Sequence, residues 1–420
     1  MTEPTEGMSA KELLAYYSAK SYEDAREAKK NGKLVCWSAS VAPDEFCTAM
    51  DICMVYPENH AAAVGAKKGS MPLLLAAERK GYLNDICSYA RVNLGYLELL
   101  KEYNQTGVMP QELADCPGEL CPLPDLVITC NNLCNTLQKW YENLAAELNI
   151  PCIFIDTPYN HEMPVSEHAK EYMKGEFEYA IRQLEEITGR PFDYEKFAEV
   201  QEQSQRSIKA WDRMAGMVSH KPSPMNGFDF FNYMALVVCY RAHKGSELCF
   251  NKYADELEEK MKNGEFAFGD NEKFRFSWEG IACWPYLGYT FKAFKGLGML
   301  MTGSGYPDMW SLHYTPGDPK SMGEAYSSII TNRDLDGKIA LTEKVLKGGQ
   351  CDGLVYHVNR SCKIMSFLSV ETLDKVQEDT GVPYVMFDGD QTDPRNFAQA
   401  QFDTRIQALQ EMMTAKKEAE

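Results

Sequence analysis

The chain has 420 residues, room for two or three domains each burying its own core, which excludes a peptide or a small disulfide scaffold. A composition of 45% hydrophobic, 25% charged and 11% aromatic residues excludes wholesale disorder and a fibrous repeat. Lys plus Arg is 43 against 61 Asp plus Glu, a net charge of −18; a field of that sign repels phosphate backbones and anionic lipid, so nucleic acid and membrane are poor partners, although a local basic pocket can still hold an anion.

The amino end, Met1-Thr-Glu-Pro-Thr-Glu-Gly7, is acidic and polar where a signal peptide is basic and then apolar. The longest apolar run, Tyr233 to Cys239, is far short of the roughly 20 residues of a membrane span. The expected location is the cytoplasm. After a polar helical start (Ala10 to Lys30), Lys33-Leu-Val-Cys-Trp-Ser38 and Met54-Val-Tyr56 read as strands, followed by helices at Ala61 to Lys80 and Leu83 to Glu102. Asp125 to Cys130 (strand), Asn135 to Asn149 (helix) and Ile150 to Ile155 (strand) give the order that favours a parallel sheet. From Val165 to about Lys262 long charged amphipathic stretches replace strands. Strand signals return at Lys273 to Trp278, Gly353 to His357 and Val382 to Phe387, before a helix from Pro394 to Lys417. The expected fold is α/β: an N-terminal helical segment (1–30), a first Rossmann-like parallel-sheet domain (31–160), a helical segment (161–270), a second such domain (271–395) and a C-terminal helix (396–420).

The two α/β regions look like a diverged duplication. Pro124-Asp-Leu-Val-Ile-Thr-Cys-Asn-Asn-Leu-Cys134 corresponds to Cys351-Asp-Gly-Leu-Val-Tyr-His-Val-Asn-Arg-Ser-Cys362, and Asn149-Ile-Pro-Cys-Ile-Phe-Ile-Asp156 to Gly381-Val-Pro-Tyr-Val-Met-Phe-Asp388. Ligands collect at the carboxyl ends of strands in open α/β sheets, so Cys134 and Cys362 could face one cleft; a coincidence of common α/β patterns is the alternative.

Fourteen cysteines are many, and in a reducing compartment they read as buried thiols or metal ligands rather than disulfides. Cys36, Cys152, Cys239 and Cys249 sit in apolar strand-like or helical runs and read as core residues. No Cys-x-x-Cys and no His-Glu-x-x-His occurs, which leaves open a metal site assembled from distant loops. Ala63 to Ser70 lacks the spacing of a phosphate loop and Gly296-Leu-Gly-Met-Leu-Met breaks the dinucleotide pattern, so neither ATP hydrolysis nor NAD binding is expected of this chain. The seven histidines read as surface or supporting residues. In Tyr56-Pro-Glu-Asn-His60 a carboxylate directly follows a strand end, aimed either at the ligand-binding edge or at capping the next helix.

Asp85-Ile-Cys-Ser-Tyr-Ala-Arg91, Cys130-Asn-Asn-Leu-Cys-Asn135, Cys283-Trp-Pro-Tyr286, Asn359-Arg-Ser-Cys-Lys363 and Phe387-Asp-Gly-Asp-Gln391 together resemble the 2-hydroxyacyl-CoA dehydratases of amino-acid-fermenting anaerobes. The resemblance runs from about Gly32 to the last helix and is to the larger, active-site subunit of a heterodimeric dehydratase. It implies that Cys87, Cys134 and Cys362 hold a [4Fe-4S] cluster with one iron not held by cysteine, that Ser40 lies beside that iron, and that Glu58 is the active-site carboxylate. It implies the elimination of water from an (R)-2-hydroxyacyl-CoA to an (E)-2-enoyl-CoA through a ketyl radical. A short acyl chain such as lactyl is expected, with 2-hydroxyisocaproyl next. The implied partners are a smaller homologous subunit and a separate ATP-dependent iron-sulfur activator, in keeping with the missing nucleotide motif. Two other classes compete: an electron-relay or structural subunit of a related dehydratase or benzoyl-CoA reductase-type complex, and a metal-free α/β binding protein. The segments Cys283 to Tyr286 and Tyr306 to Trp310 can line a small pocket or pack in the core.

Overall fold

The computed structural model describes residues 5–419. Eight parallel strands form two four-stranded sheets. The first contains β1 (Val35–Ser38), β2 (Cys53–Val55), β3 (Leu126–Cys130) and β4 (Cys152–Ile155), the second β5 (Phe274–Glu279), β6 (Met299–Gly303), β7 (Gly353–Asn359) and β8 (Tyr384–Gly389). Their orders are β2-β1-β3-β4 and β6-β5-β7-β8. The same order therefore occurs twice, with the two strand pairs matched in sequence occupying its third and fourth places. The register agrees as well, since Trp37 pairs with Val127 in the first sheet and Trp278 with Val355 in the second. Each fourth strand is entered through the same turn. The helix Asn135–Leu148 stops at Asn149 (φ 53°) and the helix Ser369–Thr380 at Gly381 (φ 67°), left-handed positions that asparagine and glycine tolerate. Both are followed by a residue and a proline.

The segment between the sheets is helical, with helices Glu167–Thr188, Tyr194–Gly216, Phe228–Cys239 and Lys244–Lys262 and no strand among them. It is fastened to the sheets by a buried charge cluster. Arg241 lies 2.7 Å from Asp44 and is flanked by Glu45, which accepts hydroxyls from Tyr326 (2.6 Å) and Tyr314 (2.8 Å). One guanidinium cannot fully neutralise two buried carboxylates, and burial drives the pKa of Asp44 well up against the pull of Arg241.

Several local readings change. The expected helix Ala61–Lys80 is two helices, Pro57–Ala66 and Ser70–Lys80, broken where Lys68 turns left-handed (φ 61°). The next begins at Ser88 rather than Leu83, with Cys87 as its cap. Strand β6 was not expected: its residues read as a glycine motif. His60 and His357 are core residues rather than surface ones. Burial lowers both imidazoles to about 4, so each stays neutral and bonds a main-chain carbonyl, Glu119 for His60 and Ile281 for His357. Among the described residues no helix is long and apolar enough to cross a membrane.

Candidate active site

The carboxyl ends of both sheets open on one cavity of about 480 Å³, the size of small-molecule sites. Ser40, Glu58, Cys87, Cys134 and Cys362 all line it.

The three cysteines share one local design. Each caps a helix: Cys87 precedes Ser88–Thr106, Cys134 precedes Asn135–Leu148 after β3, and Cys362 precedes the short turn Lys363–Ser366 after β7. Cys134 and Cys362 are thus equivalent positions of the two sheets. The main-chain N–H of Leu137 donates to Cys134 Sγ at 3.3 Å. The N–H groups of Ala90 and Met365, also three residues on, stand in the same relation to Cys87 and Cys362 and oppose the rise in their pKa. Burial nevertheless pushes Cys87 up to about 11, Cys134 to about 12 and Cys362 well above the ordinary thiol value, and the latter two are raised further by the neighbouring thiols. Without a positive charge among them these thiols stay protonated.

Asp390 ties two of the cysteine loops together. It accepts from the Ser88 hydroxyl beside Cys87 and from the main-chain N–H of Ser361 (3.2 Å) beside Cys362. Ser88 N–H in turn donates to Ser361 Oγ at 3.0 Å. Gln391 Nε2 donates to Ser361 Oγ (3.1 Å) and to Cys87 Sγ (3.5 Å). Arg91, fully buried, anchors the Cys87 loop through Asp393 (2.9 Å) and the Ile86 carbonyl (3.0 Å).

Glu58 does not cap its own helix. Its carboxylate accepts the Ser40 main-chain N–H at 2.8 Å and hydroxyl at 2.9 Å, with the Tyr141 hydroxyl at 3.4 Å. Burial raises its pKa to about 7, against these hydrogen bonds. A carboxylic acid at that value exchanges a proton at neutral pH. Trp310 Nε1 fixes the loop by donating to the Ser40 carbonyl (3.0 Å).

Among the described residues no three His, Cys, Asp or Glu side chains are spaced to hold a single metal ion. Three cysteine thiols around a shared cavity, each met by a main-chain donor that favours the thiolate, instead suit a larger soft group bound by sulfur. The donor set fits a cluster with three thiolate ligands.

The chain matches the family described as 2-hydroxyglutaryl-CoA dehydratase, D-component, over residues 39–413. It belongs to that family. It is 59% identical over 413 residues to the lactoyl-CoA dehydratase subunit alpha of Anaerotignum propionicum, which covers 98% of both chains. It is 44% identical over 414 residues to the (R)-2-hydroxyisocaproyl-CoA dehydratase alpha subunit of Clostridioides difficile, again 98% of both. Identity to the (R)-phenyllactyl-CoA dehydratase alpha subunit of Clostridium sporogenes is 42% over 411 residues, 98% and 97% of the two chains.

Within this dehydratase family member, three contributors to the site were not read from the sequence: Tyr141, Trp310 as a prop for Ser40, and Gln391 as a donor to Cys87. Gln391 closes a quoted motif, a signal of position without a role. Tyr141 lies on an ordinary amphipathic helix and carried no signal. Of the aromatic segments left open between pocket and core, Trp284, Tyr306, Met309 and Trp310 line the cavity.

Proposed function

We propose that this chain is the active-site subunit of a 2-hydroxyacyl-CoA dehydratase, eliminating water from an (R)-2-hydroxyacyl-CoA to give the (E)-2-enoyl-CoA. The observation that carries the reading is the convergence of the Ser40–Glu58 pair and three capped thiols on one cavity. The 59% identity to a lactoyl-CoA dehydratase alpha subunit supports a short acyl chain, with lactyl-CoA giving acryloyl-CoA.

Cys87, Cys134 and Cys362 would hold a [4Fe-4S] cluster with one iron not bound by cysteine. When bound, the group would lend one electron and a Lewis-acidic iron to the thioester, making an otherwise inert β-proton acidic, and would take the electron back as the enoyl thioester forms, so that the elimination is redox-neutral. The chain's own residues do the rest. Glu58, protonated below about pH 7, delivers a proton to the departing 2-hydroxyl and then, as the carboxylate, takes up the β-proton, which returns it to its starting form; Ser40 holds the carboxyl in place. Leu133, Ile281, Ile364 and Met365 keep the cavity walls apolar and exclude water from the reacting carbon. Gln391 donates to the Cys87 sulfur. The relatives' names as alpha subunits support a partner subunit, which we take to be a smaller homologue. The electron comes from a separate ATP-dependent iron-sulfur activator, and the setting is the cytoplasm of an anaerobe.

The test is the iron and acid-labile sulfide content and visible spectrum of anaerobically purified protein, followed by turnover of lactyl-CoA with partner, activator, ATP and reductant. Iron, sulfide and turnover are expected. Protein without iron would overturn the reading, as would turnover by this chain alone without ATP.

A further inference from the structure

The two sheets leave their edge strands through the same pattern, Tyr-Pro followed by a carboxylate. β2 is followed by Tyr56-Pro57-Glu58, and β6, after Ser304 and Gly305, by Tyr306-Pro307-Asp308. Each proline opens a helical turn, Pro57–Ala66 in one case and Pro307–Trp310 in the other. The copies use the triplet in opposite ways. In the first, Tyr56 is buried with its hydroxyl 3.4 Å from Asp44, and Glu58 reaches the cavity. In the second, Asp308 is exposed and Tyr306 reaches the cavity.

Tyr306 is held rigidly. Its ring meets Trp310 edge-on at 5.2 Å and lies 6.4 Å from Phe231. Behind it, Trp284 Nε1 donates to the Tyr89 hydroxyl at 2.5 Å, and the Tyr89 and Tyr306 phenols are near enough for each to affect the other's ionisation. Tyr306 therefore brings a phenolic hydroxyl to the cavity that Glu58, Cys87 and Cys362 also line. Burial, then the nearby carboxylate and thiols, push this phenol up, so it remains a donor throughout the physiological range.

We propose that Tyr306 donates a hydrogen bond to the 2-hydroxyl oxygen of the substrate, so that each half of the duplication contributes one polar group, Glu58 and Tyr306, to the carbon that loses water. This rests on the reading of the cavity as a 2-hydroxyacyl thioester site. A preorganised donor at a departing oxygen stabilises the charge that develops there.

The experiment compares two probes that differ only by the hydroxyl, lactyl-CoA and propionyl-CoA, binding by calorimetry to the anaerobically purified full chain with its accompanying subunits. Wild type is expected to favour lactyl-CoA. Tyr306→Phe should weaken lactyl-CoA binding roughly 3- to 10-fold, the range of one neutral hydrogen bond, and leave propionyl-CoA unchanged. Tyr89→Phe, which removes the neighbouring hydroxyl but keeps Tyr306, should narrow the same gap by less and guards against a misfolded first variant. Asp308→Asn should alter neither ligand. Equal weakening of both ligands in Tyr306→Phe means packing alone and overturns the proposal, as does an unchanged gap in both tyrosine variants. Wild type binding neither probe would instead overturn the reading of the site itself.

Discussion

Ser40 donates to both oxygens of Glu58, through its main-chain N–H at 2.8 Å and its hydroxyl at 2.9 Å, although the two residues leave different strands. The pair joins the ends of adjacent parallel strands β1 and β2, and it sets the state of the carboxyl: burial raises its pKa and Ser40 limits the rise to about 7. The ionisation of this carboxyl then depends on a balance between desolvation and two hydrogen bonds.

If Glu58 is the proton donor, the active form is the protonated one. Turnover should be full below about pH 7 and fall above it, tenfold per unit, as the carboxyl ionises. Glu58→Gln should keep ligand binding, slow turnover roughly 100-fold or more and lose that alkaline limb. The check is a pH profile of kcat; an unchanged rate returns Glu58 to a structural role.

Ser40→Ala removes the hydroxyl donor and leaves the main-chain one. The carboxylate is then less stabilised, so its pKa rises and the alkaline limb should move up by about one unit. A downward move would show that the hydroxyl does not favour the ionised form.

A thiolate cannot be exchanged for a hydroxyl without losing a soft ligand, so Cys87→Ser, Cys134→Ser and Cys362→Ser should each lose iron and activity. Cys239→Ser and Cys249→Ser, at positions outside the cavity, should keep both. Iron and sulfide assays decide the matter, and full iron in the Cys134 variant would remove it from the ligand set.

How much of this was legible follows the range of each signal. Equivalence of Cys134 and Cys362 could be read because the duplicated strands carry local patterns, and the repeated strand order is its three-dimensional expression. The helical middle segment was legible for the same local reason. Ser40 and Glu58 are eighteen residues apart and meet only because β1 and β2 are neighbours, so residue spacing does not announce the pair; the resemblance did. β6 escaped because Met299-Leu-Met-Thr-Gly303 is short, glycine-ended and poor in β-branched residues. For His60 and His357 the supporting rather than the surface alternative holds: each is a buried neutral imidazole satisfied by the carbonyl of a cavity-lining residue, which no sequence period reveals.

Glu279 offers a stability test away from the thiols. Burial raises it to about 7 from an ordinary 4.5, against donations from Ser277 Oγ (2.7 Å) and Gly305 N–H (3.1 Å). Between those two values the unfolded chain ionises and the folded chain does not, so stability falls as pH rises through this window and the deficit is constant above pH 7. The deficit is about 3 kcal/mol at most. Glu279→Gln should therefore show a smaller loss of Tm between pH 5 and pH 8 than wild type.

Gly95 lets the helices Ser70–Lys80 and Ser88–Thr106 cross: a Cβ there would lie 1.9 Å from the Leu73 carbonyl oxygen. The clash is with backbone and cannot be relieved by a rotamer. Gly95→Ala should lower stability by about 3 kcal/mol or more, read as a drop in Tm. Because the second helix starts at Cys87, iron content should fall with it even though every cysteine is intact.

Cys87 and Cys134 belong to the half built on the first sheet and Cys362 to the half built on the second. A group held by all three sulfurs, as proposed, would be a crosslink as well as a reagent, its binding free energy thermodynamically linked to docking of the two halves. Removing it would subtract that energy from the seam, where the two sheets already share one continuous buried core.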